Sequence, residues 1–221
     1  RLAGKGLEYS HAGWVVGPDP AIHIAVLSRF PMKMHSHTNV MYLLDRRRFQ
    51  VSRGFAEARI RVNDDYQFTL LVGHLKSKRP VGIADQAQMR LAEARALRKI
   101  VETKLKANAN ENLLVVGDLN DKPNSPPIRT LIGVRSPRLL DLRPYELSDS
   151  DLADLLNVRR RVVWTMFFRT QDDYNRFDYI LASRGMNREM DRKGTYVYAM
   201  PRWGEASDHR PVVARFVAKD R

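Results

Sequence analysis

Apolar residues in this chain come mostly in short runs closed by turn-forming residues, a pattern of strands rather than of long helices. Ile22–Leu27 predicts a strand ending at Ser28-Arg29, with Pro31 as its stop. Ala56–Val62 alternates apolar and polar positions and predicts a second strand. Asn63-Asp64-Asp65 then turns the chain into Phe68–Gly73, its antiparallel partner. The period changes over Ala84–Lys106. Ala87, Leu91, Ala94, Leu97, Val101 and Leu105 recur along one helical face, and Arg90, Arg95, Arg98 and Lys104 are expected elsewhere on that helix. Leu113–Val116 is wholly apolar and predicts a short strand covered on both sides. Ser125-Pro126-Pro127 predicts a cap leading into a short helix through Ile128–Leu131. Further strands are expected at Arg161–Phe168, Phe177–Ala182, Thr195–Ala199 and Val212–Val217. Many strands with interspersed helices predict sheets packed together under a helical layer.

No repeat, low-complexity tract or linker divides the pattern, so one substantial domain over residues 1–221 is expected. No apolar run approaches the ~20 residues that would span a bilayer. Cysteine is absent, which removes disulfides, thiol chemistry and thiolate metal sites. Charge changes the picture more. Lys and Arg number 38 against 25 Asp and Glu, a net charge of +13. Such a field attracts polyanions: nucleic acid, anionic lipid surfaces or phosphorylated small molecules.

Four short segments carry the chemistry: His74-Leu75-Lys76-Ser77, Gly117-Asp118-Leu119-Asn120-Asp121, Arg176-Phe177-Asp178-Tyr179-Ile180 and Ser207-Asp208-His209-Arg210-Pro211-Val212. Three of them follow or contain an apolar run, so a sheet can aim their polar groups at one point. Along an extended Asp118-Leu119-Asn120, the first and third side chains point one way and Leu119 points into the core. Neighbours on a strand face opposite ways, so Asp208 is not placed to orient His209. Asp178 is the carboxylate expected to do so, fixing the imidazole tautomer and raising its basicity. Lys76 and the triplets Arg46-Arg47-Arg48 and Arg159-Arg160-Arg161 are candidates for phosphate contacts. Trp203 can stack on a base, although packing is the commoner role of such a residue. His35-Ser36-His37 alternates correctly for one strand face but has no evident ligand partner.

The order and spacing of these motifs resemble the endonuclease/exonuclease/phosphatase family, over about Ile22 to Val217. That resemblance implies an α/β fold, a four-layer sandwich of two packed, mostly antiparallel sheets flanked by helices. It implies a metal-dependent phosphoesterase using Mg²⁺ or Mn²⁺. Its catalytic residues would be His74, Asp118, Asn120, Asp178 and His209, with Asp208 near the metal and Asn120 and His74 on the phosphate oxygens. Glu57, on the strand before His74, is expected to hold that imidazole. Family members carry a metal-binding Glu on an early strand. No matching motif occurs here, so the sequence is expected to be a fragment lacking its first strands. Nucleic acid is the favoured substrate because of the charge, and a monomer is expected. The alternatives are hydrolysis of phospholipid headgroups or small phosphorylated molecules, or a degenerate member that binds without turnover.

Overall fold

A computed structural model describes residues 8–146, 161–199 and 202–220. Its centre is a six-stranded sheet ordered β3-β6-β7-β8-β13-β9. The strands are β3 (Met32–His37), β6 (Phe55–Arg61), β7 (Gln67–Gly73), β8 (Leu113–Asp118), β9 (Leu140–Asp141) and β13 (Asp178–Ala182). All neighbouring pairs are antiparallel except β7–β8. Parallel neighbours need a crossover, and α1 (Gln86–Ala107) supplies it. Asp85 caps α1, its carboxylate accepting the Gln88 amide at 2.8 Å.

Alternation along β6 explains how the sheet is covered. Phe55 points to the side of α1 and α2 (Pro126–Ile132), where Leu71, Leu97, Val101, Leu131 and Tyr179 form the largest core cluster. Ala56, Ala58 and Ile60 point to the other side, against Val15, Ile24 and Val26 of β1 (His11–Val15) and β2 (Ile24–Ser28). Farther along that side, Leu114, Ile180 and Ala182 meet Val212, Ala214 and Phe216 of β15 (Val212–Phe216). β15 belongs to a smaller sheet with β14 (Met190–Val197) and β10 (Tyr145–Glu146). The protein is thus an α/β sandwich with packed sheets and flanking helices, and α3 (Arg184–Arg188) lies beside β13.

Several expectations need correction. The sequence reading assigned no strand to Met32–His37, nor to the hairpin of β4 (Met41–Leu44) and β5 (Arg47–Gln50). Asp45 and Arg46 turn that hairpin, both at positive φ (49° and 61°). β11 (Met166–Phe168) is much shorter than the strand expected from Arg161, and pairs with β12 (Asp173–Asn175). Ser125 stands at the start of α2, but its hydroxyl makes no cap hydrogen bond. On α1, Arg90 and Arg98 are buried rather than outward, as is Glu93.

Candidate active site

Three of the four motifs end or begin strands at the same end of the large sheet, and His209 is paired with Met166 beside them. Asp118, the last residue of β8, faces Asp178, the first of β13, in the antiparallel register. Two carboxylates directly opposite one another repel. A proton or a cation between them relieves that repulsion. Gly117, just before, has φ +131°, and a Cβ there would come within 2.0 Å of the Gly73 carbonyl oxygen. Only glycine lets β7 and β8 close so tightly under the two carboxylates.

His209 Nδ1 lies 2.8 Å from Asp178 Oδ2. Burial pulls the imidazole pKa down, but the Asp178 hydrogen bond and the fields of Asp178, Asp118 and Asp208 outweigh it, and the pKa ends above its usual value. Asp178 is itself supported from behind. The buried Thr165 hydroxyl accepts the amides of Phe177 and Asp178, each at 3.1 Å.

Asn120 is held differently from the extended geometry the sequence suggested. It adopts a left-handed φ of 53°, with its amide nitrogen 2.8 Å from Asp118 Oδ1. Its side-chain Nδ2 donates to Asp118 Oδ2 at 3.1 Å and to the Leu75 carbonyl at 3.0 Å. Leu119 still points inward and is fully buried. His74 Nε2 stands 3.3 Å from Asp118 Oδ2, so Asp118 is gripped from two sides.

Glu57 does not hold His74. It lies on the α1 side of β6, in the same alternation as Phe55, where His37 Nε2 reaches it at 2.9 Å and Lys104 descends from α1. His37 therefore has a partner the sequence did not reveal. Lys76 is half-buried, and its backbone N–H donates to Glu93 at 2.6 Å. Arg46, Arg47 and Arg48 are exposed at the tip of the β4–β5 hairpin. Of the second triplet, Arg159 and Arg160 lie outside the described residues, and Arg161 stacks over Tyr145 at 4.2 Å. Trp203 is half-buried, 5.5 Å from Trp164.

A brace of buried charged residues, not expected from the sequence, stands behind the site. Arg53 donates to the Leu75 carbonyl at 2.8 Å, Glu93 accepts the Ser52 amide at 2.9 Å, and Arg90 holds Asp121 at 2.9 Å. Arg90 stands four positions before Ala94 and Glu93 four before Leu97, a spacing that places them on the buried side of α1. That was the available signal.

Asp118, Asp178 and His209 offer ligand atoms within 4.8 Å of one another. Two carboxylates and an imidazole form an oxygen-rich donor set that fits a hard divalent cation. Asp208 is exposed and outside that trio, close enough for its charge to act on His209.

Opposed carboxylates with a carboxylate-backed imidazole at one end of a sheet form a site able to hold a cation and to take a proton from water. The profile described as the Endonuclease/Exonuclease/phosphatase family matches residues 55–203, and the chain belongs to that family. No curated protein matches it. Among solved structures it is similar to the human Nocturnin catalytic domain with bound sulfate anion: 16% identity, TM-score 0.65, over 98% of this chain and 76% of that one. A humanized D. rerio TDP2 gives 16% identity and TM-score 0.62, over 98% and 79%. A mutant beta toxin from Staphylococcus aureus with bound magnesium ions gives 14% and 0.56, over 98% and 81%.

Proposed function

We propose that this protein hydrolyses phosphodiester bonds with a divalent metal, Mg²⁺ or Mn²⁺, and that its substrate is nucleic acid. The observation that carries this reading is the His209–Asp178 pair set against Asp118 at one end of the sheet. Asp178 accepts the Nδ1 proton and leaves Nε2 free to take a proton from water. The resulting hydroxide attacks phosphorus in line, and the bond to the leaving oxygen breaks. A metal held by Asp118 and Asp178, with Asp208 nearby, would offset negative charge on the phosphate. The donors on Asp118 keep its carboxylate fixed while charge moves: Asn120 spends both amide hydrogens on Asp118 and the Leu75 carbonyl, and His74 closes the other side. His74 also presents its ring to a phosphate oxygen. The bound magnesium of the beta toxin neighbour and the sulfate of the Nocturnin neighbour support a cation and an oxyanion on this fold.

Nucleic acid is favoured by the +13 charge and by the three exposed arginines of one hairpin. A panel of single-stranded DNA, duplex DNA, RNA and sphingomyelin, each with and without Mg²⁺, tests the reading. Turnover confined to sphingomyelin moves the substrate to lipid, and none on any diester refutes the enzyme. Replacing Arg46, Arg47 and Arg48 together by Ala should flatten the salt dependence of nucleic-acid binding, because each phosphate contact releases condensed counterions. Superimposable salt curves for wild type and triple variant would remove this hairpin from the interface.

A further inference from the structure

Beside His209 the chain builds a wall of aromatic rings that hydrolysis as described above does not use. β11 joins the catalytic segment directly: Met166 pairs with His209, and the Phe167 amide donates to the Asp208 carbonyl at 3.1 Å. Across the hairpin Phe167 faces Tyr174, their rings stacked at 4.5 Å with 23° between planes. Trp164 meets Tyr174 edge-on at 5.0 Å, and Trp203 follows at 5.5 Å. The buried Arg210 guanidinium lies 4.1 Å over Trp164 and fixes it from beneath. These rings are held by one another, yet Tyr174 is 51% exposed. A flat, rigid aromatic face left open beside a hydrolytic site has lost little freedom to lose again on binding.

Resting on the nucleic-acid reading, we infer that the Tyr174–Phe167 wall is a stacking subsite for an unpaired nucleobase next to the scissile phosphate. Bases in a duplex hide their faces in the helical stack, so the wall selects single strands, and stacking is tolerant of base identity. Lys122, 4.0 Å from Asp173 on the same hairpin, and Lys78, 4.8 Å over the Phe177 ring, supply cations nearby for flanking phosphates. A membrane surface is the other occupant that exposed aromatics suit. The hairpin argues against it: its tip is Arg169-Thr170-Gln171-Asp172, all exposed and polar, and Phe167 and Tyr174 lie nearer its base, with Phe168 alone beside the tip. An inserting hairpin carries its apolar residues outermost.

Three Tyr174 variants separate stacking from packing. Tyr174→Ala removes the ring, Tyr174→Leu keeps apolar cover over Phe167 and Trp164 without a flat face, and Tyr174→Phe keeps the face. Binding of a single-stranded oligonucleotide is followed in EDTA by quenching of tryptophan emission, and kcat/KM is measured with Mg²⁺ on the same oligonucleotide and its duplex. Ala and Leu should each weaken single-strand binding and kcat/KM by roughly 5- to 150-fold, with Phe within about twofold and duplex values little changed. Equal losses on single strand and duplex, or no loss with Leu, overturn the subsite. Loss of binding to sphingomyelin vesicles with no change on oligonucleotides overturns it in favour of a membrane surface. Absence of turnover on every diester would fail the hydrolytic reading alone, since the emission titration reports stacking without catalysis.

Discussion

At one end of the six-stranded sheet Asp118 and Asp178 face each other with two imidazoles beside them. At the other end Tyr66 donates its hydroxyl to Glu189, and Asn112 donates to Asp220 at 2.6 Å. Both ends gather acids with hydrogen-bonding neighbours. Glu189 is only 1% exposed, and burial, against the Tyr66 hydrogen bond and reinforced by Asp220, raises its carboxyl pKa. Around the opposed carboxylates water still enters: the side chains of His74 and His209 are each 27% exposed, those of Asp118 and Asp178 17% and 16%. Residue type alone does not separate a reactive cluster from a structural one. Access to water and two carboxylates set directly opposite one another do.

The largest test of that contrast is His209→Ala, expected to lower kcat by about 10²–10⁴-fold, the usual worth of a positioned general base, while the melting temperature barely moves. Asp118→Ala should behave alike. Asp178→Asn should also lower the rate, and the pH profile shows why. The folded pKa of His209 is raised chiefly by Asp178 against burial, so the base is protonated up to a higher pH than a free imidazole. Without the carboxylate that pKa falls, and the acid limb of kcat/KM should move to lower pH. An unmoved limb would mean His209 is not the titrating base. The distal end should respond in reverse. Tyr66→Phe removes one of the hydrogen-bond donors to the buried Glu189 and should cost about 1–3 kcal/mol in urea unfolding with kcat unchanged. A comparable loss of rate would collapse the distinction between the ends. The smallest effect is expected midway, at Glu57. Lys104 and His37 outweigh burial and lower its folded pKa, so its stabilisation is present above the unfolded pKa and lost as pH falls through the folded one. Lys104→Met should remove about 0.5–1 kcal/mol at neutral pH and flatten the acid-side loss.

Much of this arrangement was legible because the site motifs coincide with buried apolar runs. Strand β8 and the flanks of His74 and Asp178 read plainly from Val115, Leu71 and Ile180, and opposite faces of adjacent residues pointed to Asp178 as the partner of His209. The β3–β5 region was not legible. Met32, Met34 and Ser36 alternate with Lys33, His35 and His37, too polar a mixture to announce a strand, and Asp45-Arg46 lacks the Gly or Asn that marks such a turn. Glu57 was misassigned because chain proximity to His74 does not reveal which face of β6 a side chain takes. The buried Arg90, Glu93 and Arg98 were missed because charge is ordinarily read as solvent-facing. Here Arg90 and Glu93 bond the backbone of Lys76 in the His74 loop, and Arg98 bonds the carbonyls of Leu131 and Ile132 at the end of α2.

The one parallel pairing of the six-stranded sheet, β7 with β8, carries a consequence for how the protein comes into being. Thr69 meets Leu113 only after all of α1 has been laid across the sheet, and Asp178 and His209 arrive from still later in the chain. Contacts so distant along the sequence are slow to form, while the helix and the β6–β7 hairpin are local. On dilution from denaturant, helical signal should recover first and hydrolysis last, which makes turnover a clock for the final docking of the sheet.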